Sequence, residues 1–197
     1  MKIKNLIITL VLSLIGFTAN AASPFAKVEP LPLSEVRWTD GFFHERFELC
    51  RTQMIPSMER LMTGTNYTQF LRNFEIVAGL KDGKVRGDSF NDGDFYKFIE
   101  GASATLAVTN DVALQKTLDD IIAVIAQAQR TNGYIDTWVQ WHQGETNSKV
   151  APFSDRMNWE VYNMGQLLTA ASVHHRVTGK TNFLNIARKA ADCLDRV

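Results

Sequence analysis

Apolar residues recur at helical spacing in five stretches of the chain, and this pattern limits the possible folds more than any other feature. No stretch of comparable length alternates in the way that a half-buried strand requires. The pattern therefore predicts an all-α protein. The stretches run from Phe43 to Leu61, Phe95 to Leu106, Leu114 to Ile125, Met164 to Ala171 and Phe183 to Val197.

Local residues indicate where these helices begin or break. Pro56 lacks a backbone donor, so it is expected to kink or split the first helix. Side-chain oxygens of Asn91-Asp92 are expected to cap the second helix. Asn110 or Asp111 is expected to cap the third.

The connections between the helices differ in length. Residues 109–111 and 178–181 are tight links, of the kind that join antiparallel neighbours. Between these two hairpins, residues 130–156 are polar and aromatic and include Trp138 and Trp141. Hairpins with short turns at one end and long loops at the other predict a helical array or an α/α toroid, with binding residues on the long-loop side.

The amino terminus has the order of a secretion signal. Lysines precede an apolar run over residues 6–17, and small residues follow at 19–21. We expect a signal peptide over 1–21 and an extended lead-in over 22–40, with the product in the periplasm or secreted. The cleavage site has no cysteine, so we do not expect a lipid anchor. The apolar run is too short to predict a membrane span.

Composition excludes some classes of partner. The chain has 45% hydrophobic residues, which fits a globular protein with a packed core. Lys and Arg number 21, as do Asp and Glu, so no basic excess favours nucleic acid.

Cysteine and histidine spacing argues against a metal site built from this chain alone. Cys50 and Cys193 are far apart, and the sequence leaves open whether they are buried thiols or one disulfide. The histidines have neither HxH nor HxxxH spacing. They are His44, His142, His174 and His175.

The last apolar stretch stays in phase up to Val197 without a helix stop signal. An amphipathic helix needs a neighbour to cover its apolar face. We therefore expect residues 41–197 to be part of a larger toroid, truncated at the carboxyl end, with the rest of its own parent chain as a partner.

Four strings in order and register carry a resemblance to a known family. They are NDGDFYKFIEGA at 91–102, AQAQ at 126–129 leading into NGYIDT at 132–137, NWEVYNMGQL at 158–167 and VTGK at 177–180. Together they resemble the N-terminal part of glycoside hydrolase family 127, the β-L-arabinofuranosidase-like six-hairpin glycosidases. The resemblance spans most of residues 37–197.

This resemblance implies an (α/α)6 toroid, of which the chain holds roughly half. It also implies a carbohydrate substrate with a terminal pentofuranose, hydrolysed with retention by a zinc-bound cysteine nucleophile and a glutamate acid/base. In the family these catalytic residues and the zinc ligands lie in later hairpins. The resemblance therefore assigns no catalytic residue and no metal or other cofactor to this chain, which is expected to bind poorly and hydrolyse nothing by itself.

The expected substrate-binding residues cluster in the string at 158–166. Many relatives have histidine where this chain has Trp159 and Gln166, whereas Glu160 and Tyr162 match the family. Indole still offers a face to sugar C–H groups, and the amide still bonds a hydroxyl. Glu160 is either an acceptor at the floor of the cavity or a helix-start carboxylate stabilised by the helix dipole.

Other candidates have two interpretations each. Asp94, together with Asp92, is either part of a binding site or a helix-start residue, and Lys97 either pairs with Asp94 at the surface or points inward. Trp138 and Trp141 are either rim packing or carbohydrate platforms.

Three functions are compatible with this pattern. The first is a fragment of an exported glycoside hydrolase acting on terminal L-arabinofuranose or a related sugar. The second is a glycan-binding or scaffold module without turnover. The third is another six-hairpin enzyme, such as an unsaturated glucuronyl hydrolase.

Overall fold

The computed structural model describes residue 28 and residues 30–197. The predicted signal peptide, residues 1–21, and the first part of the predicted lead-in lie outside the described residues. One compact unit runs from Pro32 to Val197. It consists of helices, turns and loops, and no β-strand occurs in it, which confirms the all-α prediction.

This unit contains eight α-helices. They are α1 (Gly41–Leu49), α2 (Ile55–Thr63), α3 (Phe70–Val77), α4 (Asn91–Thr109), α5 (Val112–Ala128), α6 (Thr137–Gln143), α7 (Glu160–Thr178) and α8 (Asn182–Leu194). Single turns of 3-10 helix lie at Leu33–Glu35 and Arg156–Asn158. Across the described part of the chain, no helix has the length and hydropathy needed to cross a bilayer.

Helices α1 and α2 are one rod interrupted by a π-helical turn at Cys50–Met54. Pro56 lies in the first turn of α2, where its missing N–H is tolerated, so the predicted split is confirmed. The predicted apolar stripe is not the buried face, however. Phe43 and Met54 are exposed, whereas Ile55 and Met62 reach the core.

Helices α4 and α5 form the first predicted hairpin. Asn110 adopts the left-handed conformation and ends α4. The Asp111 side chain then accepts hydrogen bonds from the N–H groups of Ala113 and Leu114, at 2.9 and 3.0 Å, and so caps α5 as predicted.

The predicted capping of α4 by Asn91-Asp92 is wrong. Phe90 occupies the N-cap position and makes no side-chain capping hydrogen bond. The Asp92 carboxylate is buried and bonds to α6 instead. A capping pattern in the sequence does not reveal a tertiary donor that competes for the same carboxylate.

Helices α7 and α8 form the second predicted hairpin. Gly179 has φ 72°, a left-handed conformation that glycine adopts without strain, and it ends α7. Helix α8 buries Phe183 and Ala190, but it ends at Leu194 and leaves Val197 exposed.

The two hairpins pack through α4 against α7. A Cβ atom at Gly93 would lie 2.6 Å from the Tyr162 ring, so glycine is required for this close approach.

Cys50 and Cys193 are both free thiols, so of the two alternatives that the sequence left open, the structure shows buried or half-buried thiols and no disulfide between them. The main core contains residues of α4, α5, α7 and α8, among them Phe95, Ile99, Leu118, Ile122, Ile125, Leu167, Ala171 and Phe183.

Candidate functional site

The starts of α4 and α7 lie side by side at the long-loop end of the molecule and bring together a polar and aromatic cluster. The Lys97 Nζ lies 3.1 Å from the Asp94 carboxylate and also donates to the Tyr162 hydroxyl. The Trp159 and Tyr162 rings meet edge to face, with centroids 5.7 Å apart. We call these four residues the rim cluster.

Helical spacing extends the rim cluster along α7. Tyr162 and Gln166 are four residues apart and lie on one face of α7, and Trp159, just before the helix, contacts the Tyr162 ring. Gln166 is half-buried, whereas Trp159 is 42% exposed. The exposed indole edge and the amide therefore follow each other along the same side of α7.

The positive charge of Lys97 is held in place by its contacts with Tyr162 and Asp94. The ammonium of Lys97 lies 5.1 Å from the centroid of the Tyr162 ring, as well as near its hydroxyl. The hydrogen bonds to Tyr162 and Asp94 raise the pKa of Lys97. The ion pair is partly exposed, so it orients the side chains more than it stabilises the fold.

The backbone at Trp159 is strained. Its φ is 60°, in the left-handed region that bulky residues rarely adopt. The 3-10 turn at Arg156–Asn158 leads into this conformation and α7 starts directly after it. In this conformation the indole lies beside Phe90, with ring centroids 6.3 Å apart, so packing helps to hold the strained backbone.

A cavity of about 330 Å³ opens beside the rim cluster. Phe153, Asp155 and Arg156 line it together with Trp159 and Tyr162. This volume lies in the range of small-ligand sites, roughly 300–1,000 Å³. The lining combines aromatic faces with two acidic side chains, Asp155 and Glu160, and one basic side chain, which suits a ligand that has both C–H faces and hydroxyl groups.

Glu160 lies beneath this rim and is only 3% exposed. Its carboxylate accepts a hydrogen bond from the Tyr134 hydroxyl, and its two oxygens share the Phe153 N–H, at 2.9 and 3.0 Å. Burial and the nearby Asp136 charge raise the pKa of Tyr134, which therefore stays a donor. Glu160 thus ties the loop before α7 to the start of that helix.

Asn163 connects three segments below the rim cluster. Its side-chain oxygen accepts from the Gly93 N–H at 3.0 Å. Its amide donates to the Ser89 carbonyl at 2.7 Å and to the Asp136 carboxylate at 2.8 Å. One buried amide therefore fixes the start of α4 and the start of α6 against α7.

Two buried carboxyl groups complete this layer. Asp92 accepts from the N–H and hydroxyl of Thr137, and Asp136 caps α6 through the Val139 N–H at 2.9 Å. Burial raises the pKa of Asp92 to about 6 and raises the pKa of Asp136 well above its ordinary value. Sequence reasoning missed this layer, although the IDT triplet at 135–137 was part of the recognised string.

Trp138 is placed differently from the rim cluster. Its ring stacks on His142, with centroids 4.0 Å apart and planes 26° apart. It packs against a second, smaller apolar group that includes Tyr134, Val139 and Met164. Among the described residues, no aromatic contact joins Trp138 to Trp159. Substrate binding by Trp159, Glu160, Tyr162, Gln166, Trp138 and Asp94 stays a prediction.

Metal binding has no candidate in the described range. No three His, Cys, Asp or Glu side chains in residues 30–197 are grouped so that they could hold an ion. The free thiols, Cys50 and Cys193, lie on different helical segments. The residues described here therefore do not fit a zinc centre.

Comparison with known proteins places this arrangement in context. The family model "Beta-L-arabinofuranosidase, GH127 catalytic domain" matches residues 35–197. A non-reducing end β-L-arabinofuranosidase of Bifidobacterium longum subsp. longum is 37% identical over 123 residues, which are 62% of this chain and 19% of that protein.

Two solved structures are similar in fold. A GH127 β-L-arabinofuranosidase from Geobacillus stearothermophilus T6 has a TM-score of 0.75 at 30% identity, over 82% of this chain and 26% of the other. A second GH127 β-arabinofuranosidase has a TM-score of 0.73 at 35% identity, over 85% of this chain and 27% of the other. The chain thus spans about a fifth to a quarter of the length of these relatives.

Proposed function

The chain belongs to the GH127 β-L-arabinofuranosidase family, and from that premise we propose that it forms part of the catalytic domain of an exported glycoside hydrolase. The proposed substrate is a terminal L-arabinofuranose, or a related sugar, of a complex glycan. The match of the family's catalytic-domain model to residues 35–197 carries this proposal.

The chemistry of the rim cluster supports a sugar as the ligand. A furanose presents C–H groups on its faces and hydroxyl groups at its edges. The Trp159 indole offers an apolar face of matching size. The Lys97 ammonium donates hydrogen bonds and the Asp94 carboxylate accepts them. A sugar hydroxyl can therefore find a partner here whether it acts as donor or as acceptor.

The buried layer supports precise placement of that cluster. Asn163 and Glu160 each form hydrogen bonds to more than one segment, so the rim side chains extend from a backbone that is held in place. A site whose side chains are held before binding loses less conformational entropy when the ligand arrives. In this proposal, Glu160 positions the loop at Phe153 and also lines the cavity beside Trp159, where it is an acceptor for the sugar.

We expect the 197-residue chain by itself to bind sugar weakly and to release none. The family resemblance assigns hydrolysis to a zinc-bound cysteine and a glutamate in later hairpins, where the metal supplies an activated nucleophile. Residues 30–197 contribute binding and orientation of the sugar in this proposal.

Export of the protein is proposed from the signal-peptide pattern. N-terminal sequencing of the secreted product should give Ala22 as its first residue.

An assay of sugar release tests the proposal. The complete open reading frame at the chromosomal locus is expressed, and release from an aryl β-L-arabinofuranoside is compared with that by the 197-residue chain alone. We expect release by the longer product if the locus encodes one, and none by the 197-residue chain. No release from any furanoside by either product, despite binding of arabinosides, would instead support a glycan-binding module.

A further inference from the structure

A second cleft lies between the ends of α3, α5 and α6 and shares no residue with the rim cluster. Its volume is about 490 Å³, within the roughly 300–1,000 Å³ of small-ligand sites. Ile76, Val77 and Ala128 supply an apolar floor, and Trp141 forms part of the wall. The cleft therefore offers apolar surface at a place where the fold also presents polar groups.

Trp141 differs from Trp138 in what covers its ring. Trp138 is stacked on His142, whereas Trp141 lines the cleft and has no aromatic partner among residues 30–197. The indole of Trp141 is half-buried, so it is held in place while part of it faces the cleft. A fixed indole with an open part is suited to contact the C–H groups of a sugar ring.

The polar side chains of the cleft are held in place by hydrogen bonds to residues that do not line it. Arg130 donates to the Gln143 side chain at 2.8 Å and lies over the Tyr134 ring, 5.3 Å from its centroid. Gln129 donates to the carbonyls of Gly133 and Ile186, both at 2.9 Å. Its side-chain oxygen makes no hydrogen bond within the described part of the chain, so it is free to accept one. These side chains lose little freedom when a ligand binds.

The cleft also contains acceptors. Helix α5 ends at Ala128, and the last carbonyls of a helix have no partner within it. The Gln140 side chain satisfies the Ala128 carbonyl at 3.0 Å. Glu145 adds an exposed carboxylate, for which the residues from 30 onward show no ion-pair partner. Hydroxyl donors of a ligand would therefore find the carboxylate of Glu145 as their acceptor here.

Charge in the cleft selects the class of ligand. The lining contains one cationic side chain, Arg130, and one anionic side chain, Glu145, so its formal net charge is zero. An anion would meet Glu145, and a cation would meet Arg130, so neither is favoured. A neutral molecule with many hydroxyls bonds to both groups at once.

We propose that this cleft is a binding site for a neutral oligosaccharide, with one sugar ring against Trp141 and its hydroxyls bonded to Glu145, Gln129 and Arg130. It is separate from the sugar site proposed at Trp159. It would hold another part of the same glycan, or a second glycan chain, on the protein.

Fluorine NMR tests this proposal on the full chain. Four tryptophans are labelled with 5-fluorotryptophan, and each signal is assigned by a Trp→Phe variant. Arabinotriose is then titrated, with trigalacturonate as the anionic probe. We expect the Trp141 signal to shift and saturate with arabinotriose and to stay unchanged with trigalacturonate.

Two variants sharpen the result. Glu145→Ala should weaken the affinity read from the Trp141 signal about tenfold, because one charged acceptor is lost. Glu45→Ala, at an exposed glutamate on α1, is the matched control and should not change it. Both substitutions are on the surface, so the fold is expected to survive.

The possible outcomes separate this proposal from the proposed function. A shift of the Trp159 signal without a shift of the Trp141 signal would overturn the cleft proposal and support the sugar site at the rim cluster. A saturable shift of Trp141 alone would support the cleft and contradict sugar binding at the rim. A Trp141 shift with trigalacturonate equal to that with arabinotriose, or no shift of any signal, would overturn the cleft proposal.

Discussion

The buried carboxylate of Asp92 accepts hydrogen bonds from both donors of Thr137, the backbone N–H at 2.6 Å and the hydroxyl at 2.7 Å. The two residues are 45 positions apart in the chain and join the start of α4 to the start of α6. Both side chains are almost inaccessible to solvent. The geometry of the rim above them therefore depends on a contact that water does not screen.

The pH dependence of stability should carry the signature of Asp92. Burial raises the pKa of this carboxyl from 3.8 in the unfolded chain to about 6 in the folded one. The folded state holds the proton more tightly, so the stabilising contribution is complete below pH 3.8 and is lost as the pH rises through 6. Urea unfolding at a series of pH values measures this contribution.

Asp92→Asn removes the titration and serves as the comparison. The free energy of unfolding of the wild type, minus that of the variant, should fall by up to about 3 kcal/mol between pH 4 and pH 7. Asp88→Asn changes an exposed carboxylate close by and is the matched control. Parallel curves for the wild type and Asp92→Asn would show that Asp92 does not titrate as a buried group.

Thr137→Val tests the hydroxyl side of the same contact. The substitution keeps the shape and the backbone N–H but leaves one oxygen of the buried carboxyl without its donor. We expect a loss of about 1–3 kcal/mol in the free energy of unfolding at neutral pH. Thr169→Val, at an exposed threonine that bonds only within α7, should change it by less than about 0.5 kcal/mol. Equal losses in the two variants would contradict a special role for Thr137.

The hairpins could be predicted from the sequence because their signals are local. Asp111 caps the helix that follows it, and Gly179 takes a conformation that favours glycine, so a few neighbouring residues suffice. Helices α3 and α6 were not predicted, because eight and seven residues are too few for a clear period. Tertiary contacts hold them, such as the Asn73 side chain bonded to the Arg86 backbone at 2.8 and 3.1 Å.

The candidate site was predictable only in part. Helical spacing alone puts Tyr162 and Gln166 on one face of α7. The meeting of Lys97 with Tyr162 joins residues 65 positions apart, and no periodicity reveals a contact of that kind. The partner of Glu160 was equally hidden, because the Tyr134 hydroxyl comes from a loop whose path depends on the folded core.

Trp159→Gly should separate sugar binding from folding. Glycine adopts φ 60° without strain, so the loss of indole contacts is offset in part by relief at the backbone. We expect the melting temperature to change little and the affinity for methyl β-L-arabinofuranoside to fall at least about tenfold. Calorimetric titration measures the affinity, and Met157→Ala, at an exposed side chain two residues away, is the control. Unchanged affinity in Trp159→Gly would remove the indole from the proposed site.

His174 should give the protein a sensitivity to acid of the opposite sign to that of Asp92. Its ring is fully buried beside Phe183, and neither ring nitrogen has a hydrogen-bond partner among the described residues. Burial lowers the pKa of His174 below its usual 6.5, with nearby Lys180 and His175 acting in the same direction and Asp119 opposing them. The unfolded chain then binds the proton more tightly, so stability is retained above pH 6.5 and is lost as the pH falls below it.

His174→Leu removes this titration and the unpaired polar atoms together. The variant should be at least as stable as the wild type at pH 7.5, because a buried group without a partner is replaced by an apolar one of similar size. The difference in its favour should grow as the pH is lowered toward 5, as measured by urea unfolding at each pH. A variant that is less stable at every pH, with a constant difference, would show that His174 has a partner in solution that satisfies its ring nitrogens.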